Sequence, residues 1–135
     1  MGLDIRIKGM TYDETYHCGY ITFGVYRCKV AEAYNQEFAE IYEKPYTQIF
    51  YQYTKEDIKK LNLLCNDDLD LFLNHCDCSG KLSWRECKKI YKVMKNLKVE
   101  MKGHNYGTMK EYDMHELWLN MLYFCWQYKR TMYFE

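Results

Sequence analysis

The period of the apolar residues changes once along the chain, and that change sets the fold class. Leu3, Ile5 and Ile7 alternate with Asp4, Arg6 and Lys8, the period-two pattern of a half-buried strand, and Gly9 closes it. Residues 10–18 read as a polar, aromatic loop, and residues 19–22 as a short extended piece. From Phe23 the spacing becomes helical. Phe23, Tyr26, Val30, Tyr34, Phe38 and Ile41 fit one face, with Glu32, Gln36, Glu40 and Glu43 opposite. The single proline, Pro45, is expected to end this helix.

The pattern continues helix-rich. Aromatic and β-branched residues at 46–53 suggest a second strand. Thr54 reads as an N-cap, with Glu56 and Asp57 in the first turn of a helix over 55–74 that breaks near Asn66. Ser83-Trp84-Arg85-Glu86 is a capping box. It opens a helix with Trp84, Cys87, Tyr91, Met94 and Leu97 inside and Lys88, Lys92 and Lys95 outside. Residues 103–107 read as a loop. Asp113 starts a last helix that buries Met114, Leu117, Trp118, Met121, Leu122 and Cys125. No repeat, linker or low-complexity stretch appears. Residues 1–135 are therefore expected to form one small, helix-rich α+β domain, with a short N-terminal strand or small sheet and about four helices.

Charge and cysteines narrow the function classes. The 19 Lys+Arg balance the 19 Asp+Glu, which argues against general nucleic-acid binding. The balance hides a split. Residues 1–75 hold 12 acids and 8 bases, and residues 76–135 hold 7 acids and 11 bases, so the halves are -4 and +4. Six lysines fall between Lys88 and Lys102. They read either as a solvated helix face or as a patch for an anionic ligand or acidic partner. No apolar run approaches the ~18 residues of a membrane span. The start, Met1-Gly2-Leu3-Asp4-Ile5-Arg6, lacks the apolar region of a signal peptide. The 7 cysteines are odd in number and irregular in spacing. A cytoplasmic protein with reduced thiols is expected.

Residues 75–86 carry the densest chemistry. Aligned with an EF-hand loop, Asp77 and Ser79 take the third and fifth places and Gly80 the sixth. Leu82 takes the eighth, Ser83 the ninth, and Glu86 the twelfth. The first place holds His75 instead of a hard oxygen ligand. His75, Asp77, Ser79 and Glu86 are thus weak calcium candidates. His75, Cys76, Cys78 and Cys87 would supply softer ligands for zinc, although Cys-x-Cys is not the usual two-residue knuckle. The alternative is a capping turn in which Asp77 and Ser79 hold backbone N–H groups. That turn is the expectation, with no metal and no cofactor.

Met1-Gly2-Leu3-Asp4, then Gly19-Tyr20-x-x-Phe23-x-x-x-Arg27, then His75-x-Asp77-Cys78-x-Gly80-x-Leu82 resemble a group of small proteins. These are encoded by bacteriophages, prophages and their bacterial hosts. The group opens Met-Gly-Leu-Asp, and its hallmark is similar to His-Ser-Asp-Cys-Asp/Glu-Gly. This chain departs at Cys76, where serine is usual, and at Ser79, where an acid is usual. The resemblance implies a cytosolic phage or bacterial accessory protein. It carries Tyr20, Arg27, His75, Asp77 and Cys78 over as a shared site.

Fifteen tyrosines point to binding. Tyrosine offers rigid contact area with few rotors to freeze, and each buried hydroxyl needs a partner. Tyr12, Tyr16, Tyr20 and Tyr26 bracket one region; Tyr46, Tyr51 and Tyr53 form a second. With Phe23 and Arg27 they could contact a host protein, such as a defence component, or a nucleotide signal that the chain sequesters. A cysteine-dependent enzyme built from Cys78 or Cys18 with His75, His17, His104 or His115 is the remaining alternative. No nucleophile elbow, phosphate-cradling loop or HExxH supports it. Apolar helices such as 114–128 leave a homodimer open.

Overall fold

The alternating start of the chain becomes β1 (Leu3–Ile7) in a computed structural model that describes residues 2–105 and 110–135. Leu3, Ile5 and Ile7 are buried, while Asp4 and Arg6 face water. β1 pairs antiparallel with β2 (His17–Cys18) on one side and with β6 (Met132–Phe134) on the other. β3 (Lys81–Leu82) joins the far edge of β6, giving the order β2-β1-β6-β3. The register puts Ile5 opposite Phe134, and Ile7 and Leu82 opposite Met132. One face of the sheet is therefore apolar. On the other, Arg6 lies over the Tyr133 ring and pairs with Glu135 at 2.9 Å.

Seven helices lie among the described residues: α1 (Tyr20–Tyr34), α2 (Gln36–Tyr42), α3 (Lys44–Thr47), α4 (Lys55–Leu64), α5 (Asp67–Leu73), α6 (Trp84–Met94) and α7 (Met114–Tyr128). β4 (Lys102–Asn105) and β5 (Lys110–Asp113) form a separate hairpin before α7. No helix among the described residues is long and apolar enough to cross a membrane. The chain is a small α+β domain, as its pattern predicts.

An aromatic cluster fills the core. Trp118 of α7 stands at its centre. Its ring centroid lies 5.0 Å from Phe72, 5.3 Å from Tyr16, 5.6 Å from Phe23 and 6.2 Å from Phe134. Helices α1, α5 and α7 and the apolar sheet face all contribute. Such ring pairs add about 0.5–1.5 kcal/mol each beyond the area they bury. Buried tyrosine hydroxyls are mostly satisfied. Tyr42 donates to Leu73 O at 2.8 Å, and Tyr53 to Tyr42 O at 2.9 Å. Tyr16 has only the weakly bonding Cys18 thiol near its buried hydroxyl.

Several boundaries differ from expectation, each for a local reason. Residues 20–22 are helical, not extended, because Gly19 serves as the N-cap of α1. The long helix breaks at Asn35, well before Pro45. Asn35 turns extended, and its side chain accepts from Phe38 N at 2.9 Å, trading a helix bond for a cap. Pro45 instead sits in the first turn of α3, where its missing N–H costs nothing. Residues 46–53 form no strand. Tyr51 donates to Asp57, and Tyr53 reaches back to α2, so their hydroxyls pin an irregular turn. Asn66 caps α5 and splits the 55–74 helix as expected. These breaks raise the helix number above four. Gly103 lies in β4 rather than in a loop, while residues 106–107 of that expected loop fall outside the described residues.

Candidate functional site

The segments around Arg27 and His75, far apart in sequence, meet in space. Arg27 on α1 is buried, and its guanidinium lies 4.2 Å above the Phe23 ring and 5.7 Å from Phe72. It donates to Leu73 O at 3.2 Å and to His75 O at 2.6 Å. Those carbonyls end α5, where the helix dipole favours a cation. No carboxylate lies within ion-pair distance of Arg27 among the described residues. Arg27 is thus a clamp between α1 and the end of α5. With Phe23 buried beneath it and Tyr20 half-buried, this group does not form the exposed binding surface expected from sequence.

His75 continues the clamp. Its Nδ1 lies 2.8 Å from Cys76 O and its Nε2 lies 3.1 Å from Lys81 O. The ring stacks on Phe134 with centroids 4.0 Å apart. Gly80 passes beneath it at φ 94°, with space for a Cβ only 3.2 Å from His75 Cε1. Gly80 O accepts from Phe134 N at 2.9 Å. The glycine of the motif is therefore required by a left-handed turn under a histidine ring.

The calcium arrangement does not form. The Glu86 carboxylate accepts from Ser83 N at 2.9 Å, closing the capping box of α6. Both His75 nitrogens face backbone carbonyls. His75, Asp77, Ser79 and Glu86 do not converge. The donor atoms that do converge belong to Cys76, Asp77 and Cys78, within 4.8 Å of one another. No cysteine–histidine pair forms among the hydrogen bonds of the described residues. His115 is buried between elements instead. Its Nδ1 accepts from Tyr26 at 2.8 Å, and its Nε2–H points at Met94 O and Leu97 O. Burial pushes its pKa down, which fits this neutral tautomer.

An exposed face on α6 and α7 brings together residues that the sequence placed on separate sides. The two helices run antiparallel. Lys129 at the end of α7 lies over Trp84 at the start of α6, and His115 meets the end of α6. Cys87, Ile90 and Met94 enter the core, which leaves Trp84 and Tyr91 at the border. Residues 84, 88, 91, 92 and 95 recur at helical spacing, so rings and lysines share one stripe. Across from them stand Tyr123 and Trp126 of α7. Tyr91 lies 5.4 Å from Tyr123 and 5.8 Å from Trp126, ring to ring.

Cations cover these rings. Arg85 lies 4.4 Å from the Trp84 ring; Lys88 and Lys92 lie 5.4 and 5.6 Å from Trp126; Lys95 lies 5.9 Å from Tyr91. None of Arg85, Lys88, Lys92, Lys95 and Lys129 has a carboxylate partner among the described residues. The ion pairs found there lie elsewhere, as in Lys44–Asp57 and His104–Glu111. Exposed cation–π contacts hold an ammonium by only about 0.5–1 kcal/mol. An incoming anion can therefore take these cations at little cost, while the rings supply contact area.

Two other features are less developed. Tyr46 packs over Gly24 of α1, beside exposed Ile21 and Val25, and the following turn presents Ile49 and Phe50. Phe50 is 96% exposed at φ 59°, a conformation unfavourable for a bulky residue. A pocket of about 170 Å³ lies among Phe38, Tyr42, Tyr53, Leu61 and Asp70. That is below the ~300–1,000 Å³ usual for small-molecule sites. Comparison with protein-family models, curated proteins and solved structures finds no match to the chain.

Proposed function

We propose that the chain is a non-enzymatic accessory protein of phage type that binds an acidic segment of a host protein through the α6–α7 face. The observation that carries this reading is the set of five cations lying over Trp84, Tyr91 and Trp126 with no carboxylate partner among the described residues. Charge complementarity supplies orientation and on-rate, and the rings supply the buried anchors of an interface. Five of the eleven bases in the +4 half of the chain lie on this face. A defence component of the host is the partner class that a phage-type gene would meet in the cytoplasm.

The test is capture from host-cell extract with tagged wild type and with a Lys88→Glu/Lys92→Glu/Trp126→Ala variant. Wild type is expected to retain one protein that the variant loses, and crosslinks from Lys88 or Lys92 should map to an acidic segment. Equal capture by both forms would refute the reading.

A second reading rests on the same rings and cations. A nucleotide offers a base to stack and phosphates to neutralise, so the face also fits a sequestered nucleotide signal. A thermal-shift screen with cyclic nucleotides and ADP-ribose derivatives separates the two. A large shift with one compound, abolished in the same variant, replaces the protein partner by a nucleotide. A flat screen removes this second reading.

A further inference from the structure

The loop between α5 and β3 carries two thiols that the binding face does not use. Cys76 and Cys78 are both exposed, and their sulfurs lie 3.4 Å apart. Ser79 points its hydroxyl at Cys76 Sγ from 3.5 Å. The loop is held from both ends. Arg27 and the stacked His75 fix its start, and Gly80 O, bonded to Phe134 N, fixes its exit. The pairing of the sulfurs is thus preorganised by the clamp and does not depend on a flexible tip.

We propose that Cys76 and Cys78 form a reversible dithiol–disulfide site that exchanges with low-molecular-weight disulfides of the glutathione type. The geometry assigns the roles. Cys76, which receives the Ser79 hydroxyl, is the attacking sulfur. Cys78, in sulfur contact, is the resolving one. In the first step the Cys76 thiolate attacks one sulfur of R–S–S–R. A Cys76–S–S–R bond forms, the R–S–S–R bond breaks, and RS⁻ leaves. In the second step Cys78 gives its proton to solvent and attacks Cys76 Sγ, expelling the second RS⁻. The protein loses two electrons, and the small disulfide gains them and ends as two thiols once protonated. The sulfurs must close from 3.4 Å to about 2.05 Å, a shift within one loop. A ring spanning a single residue is strained, so the bond reopens readily with reduced thiol.

The local charges agree with these roles. The Ser79 hydroxyl, with backbone and Cys78 donors, pulls Cys76 down to about 7, and the neighbouring Cys76 pushes Cys78 up. At pH 7 the larger thiolate fraction, reduced by the weaker nucleophilicity of a low-pKa thiol, gives a net rate about fivefold above an ordinary exposed thiol. Four of the other five cysteines are poor competitors, and Cys18, half-buried, is the one left for the experiment to separate. Cys87 and Cys125 are buried, and burial pushes Cys28 up to about 12 and Cys65 up to about 11.

The experiment uses the whole chain, reduced and treated with chelator, then exposed to oxidised glutathione at pH 7.5. Acid quenching, alkylation and intact-mass measurement follow. Wild type is expected to lose the mass of two hydrogens and two alkylation sites, mapped by peptide digestion to Cys76 and Cys78, and to recover both with reduced glutathione. Cys78→Ser should stop at a glutathione adduct on Cys76. Cys76→Ser should leave position 78 largely unmodified over the same time. Both positions are exposed, so these variants keep the fold. No change in wild type, a lasting adduct there, or first reaction at Cys18 overturns the proposal. So does protection of both thiols by added zinc in untreated protein with no disulfide formed on oxidation, which would make the cluster a soft-metal site.

Discussion

Replacing Arg27 with alanine separates a structural clamp from a ligand-binding arginine. The guanidinium makes two hydrogen bonds to carbonyls, at 3.2 and 2.6 Å, and lies 4.2 Å over Phe23. Bonds from a charged donor contribute about 1.5–3 kcal/mol each. Leu73 O keeps its bond from Tyr42, so His75 O is the acceptor left bare. Against this stands the cost of burying a cation with no carboxylate, which the substitution relieves. The net loss is about 2–3 kcal/mol. At this chain length that lowers the melting temperature by roughly 6–15 °C. Arg27→Lys should recover less than half, because an ammonium cannot bridge both carbonyls and stack on the ring at once. Urea and thermal melts followed by circular dichroism measure both variants. An Arg27→Ala chain that melts within about 0.5 kcal/mol of wild type, yet fails to capture its partner, would refute the clamp and restore the surface role.

Other perturbations test separate parts of the structure. Gly80→Ala should cost about 1–2 kcal/mol, because alanine is strained at φ 94° and its Cβ would press on His75; hydrogen exchange of the 75–81 amides reports the loosened loop. Glu43 is half-buried beside Glu32 and Glu40, and burial and those carboxylates push its pKa up to about 7. The folded state then binds the extra proton, so wild-type stability relative to Glu43→Gln is highest below pH 4.5, falls up to about 7 and is level above. Melts of both forms at pH 4, 5.5 and 8 check this, and a flat difference would count against it. Lys88→Glu/Lys92→Glu should leave the melting temperature within about 3 °C while abolishing partner capture, since surface pairs contribute little to folding. His115→Phe should cost about 2–3 kcal/mol by stranding the Tyr26 hydroxyl and Leu97 O, while Met94 O keeps its bond from Leu97 N; urea titration measures it.

Residues with strong local chemistry announce their structure in sequence. Leu3, Ile5 and Ile7 specify β1. Thr54 specifies a helix start as an N-cap and Ser83 as the head of a capping box, and both form as written; Thr54 also closes a box with Asp57 that the sequence reading does not name, and Asp113 caps α7. The apolar stripe of α7 is also legible: Met114, Trp118, Met121, Leu122 and Cys125 are all buried in the core. What fails is inference from side-chain class where the polar end decides the outcome. Tyr51 and Tyr53 look like strand residues until their hydroxyls find Asp57 and Tyr42. Asn35 looks tolerable in a helix until its side chain takes the Phe38 amide. β6 is three residues long and gives no periodicity to read. The motif positions 27 and 75 are visible, but their roles depend on a contact 48 residues apart. On α6, Trp84 and Tyr91 count as apolar and the lysines as solvated. Their spacing puts them on one stripe, and the packing of α6 on α7 shows that this stripe borders the core beside Trp126.

The pairing of β1 with β6 has a consequence for biosynthesis. Ile5 meets Phe134, and Asp4 exchanges two backbone hydrogen bonds with Glu135. β1 thus waits for β6, about 130 residues further along the chain. At about 5–20 residues per second, the interval is roughly 6 to 26 s. Throughout it, Leu3, Ile5 and Ile7 have no β6 to shield them, and one edge of β1 is open to any passing strand. Helices α4 and α5 pack on α2 and α6, made before or soon after them, and have a shorter wait. A translating cell therefore holds a chain whose central helices can begin to pack before its sheet exists. Nascent β1 is the segment that a chaperone would be called on to cover.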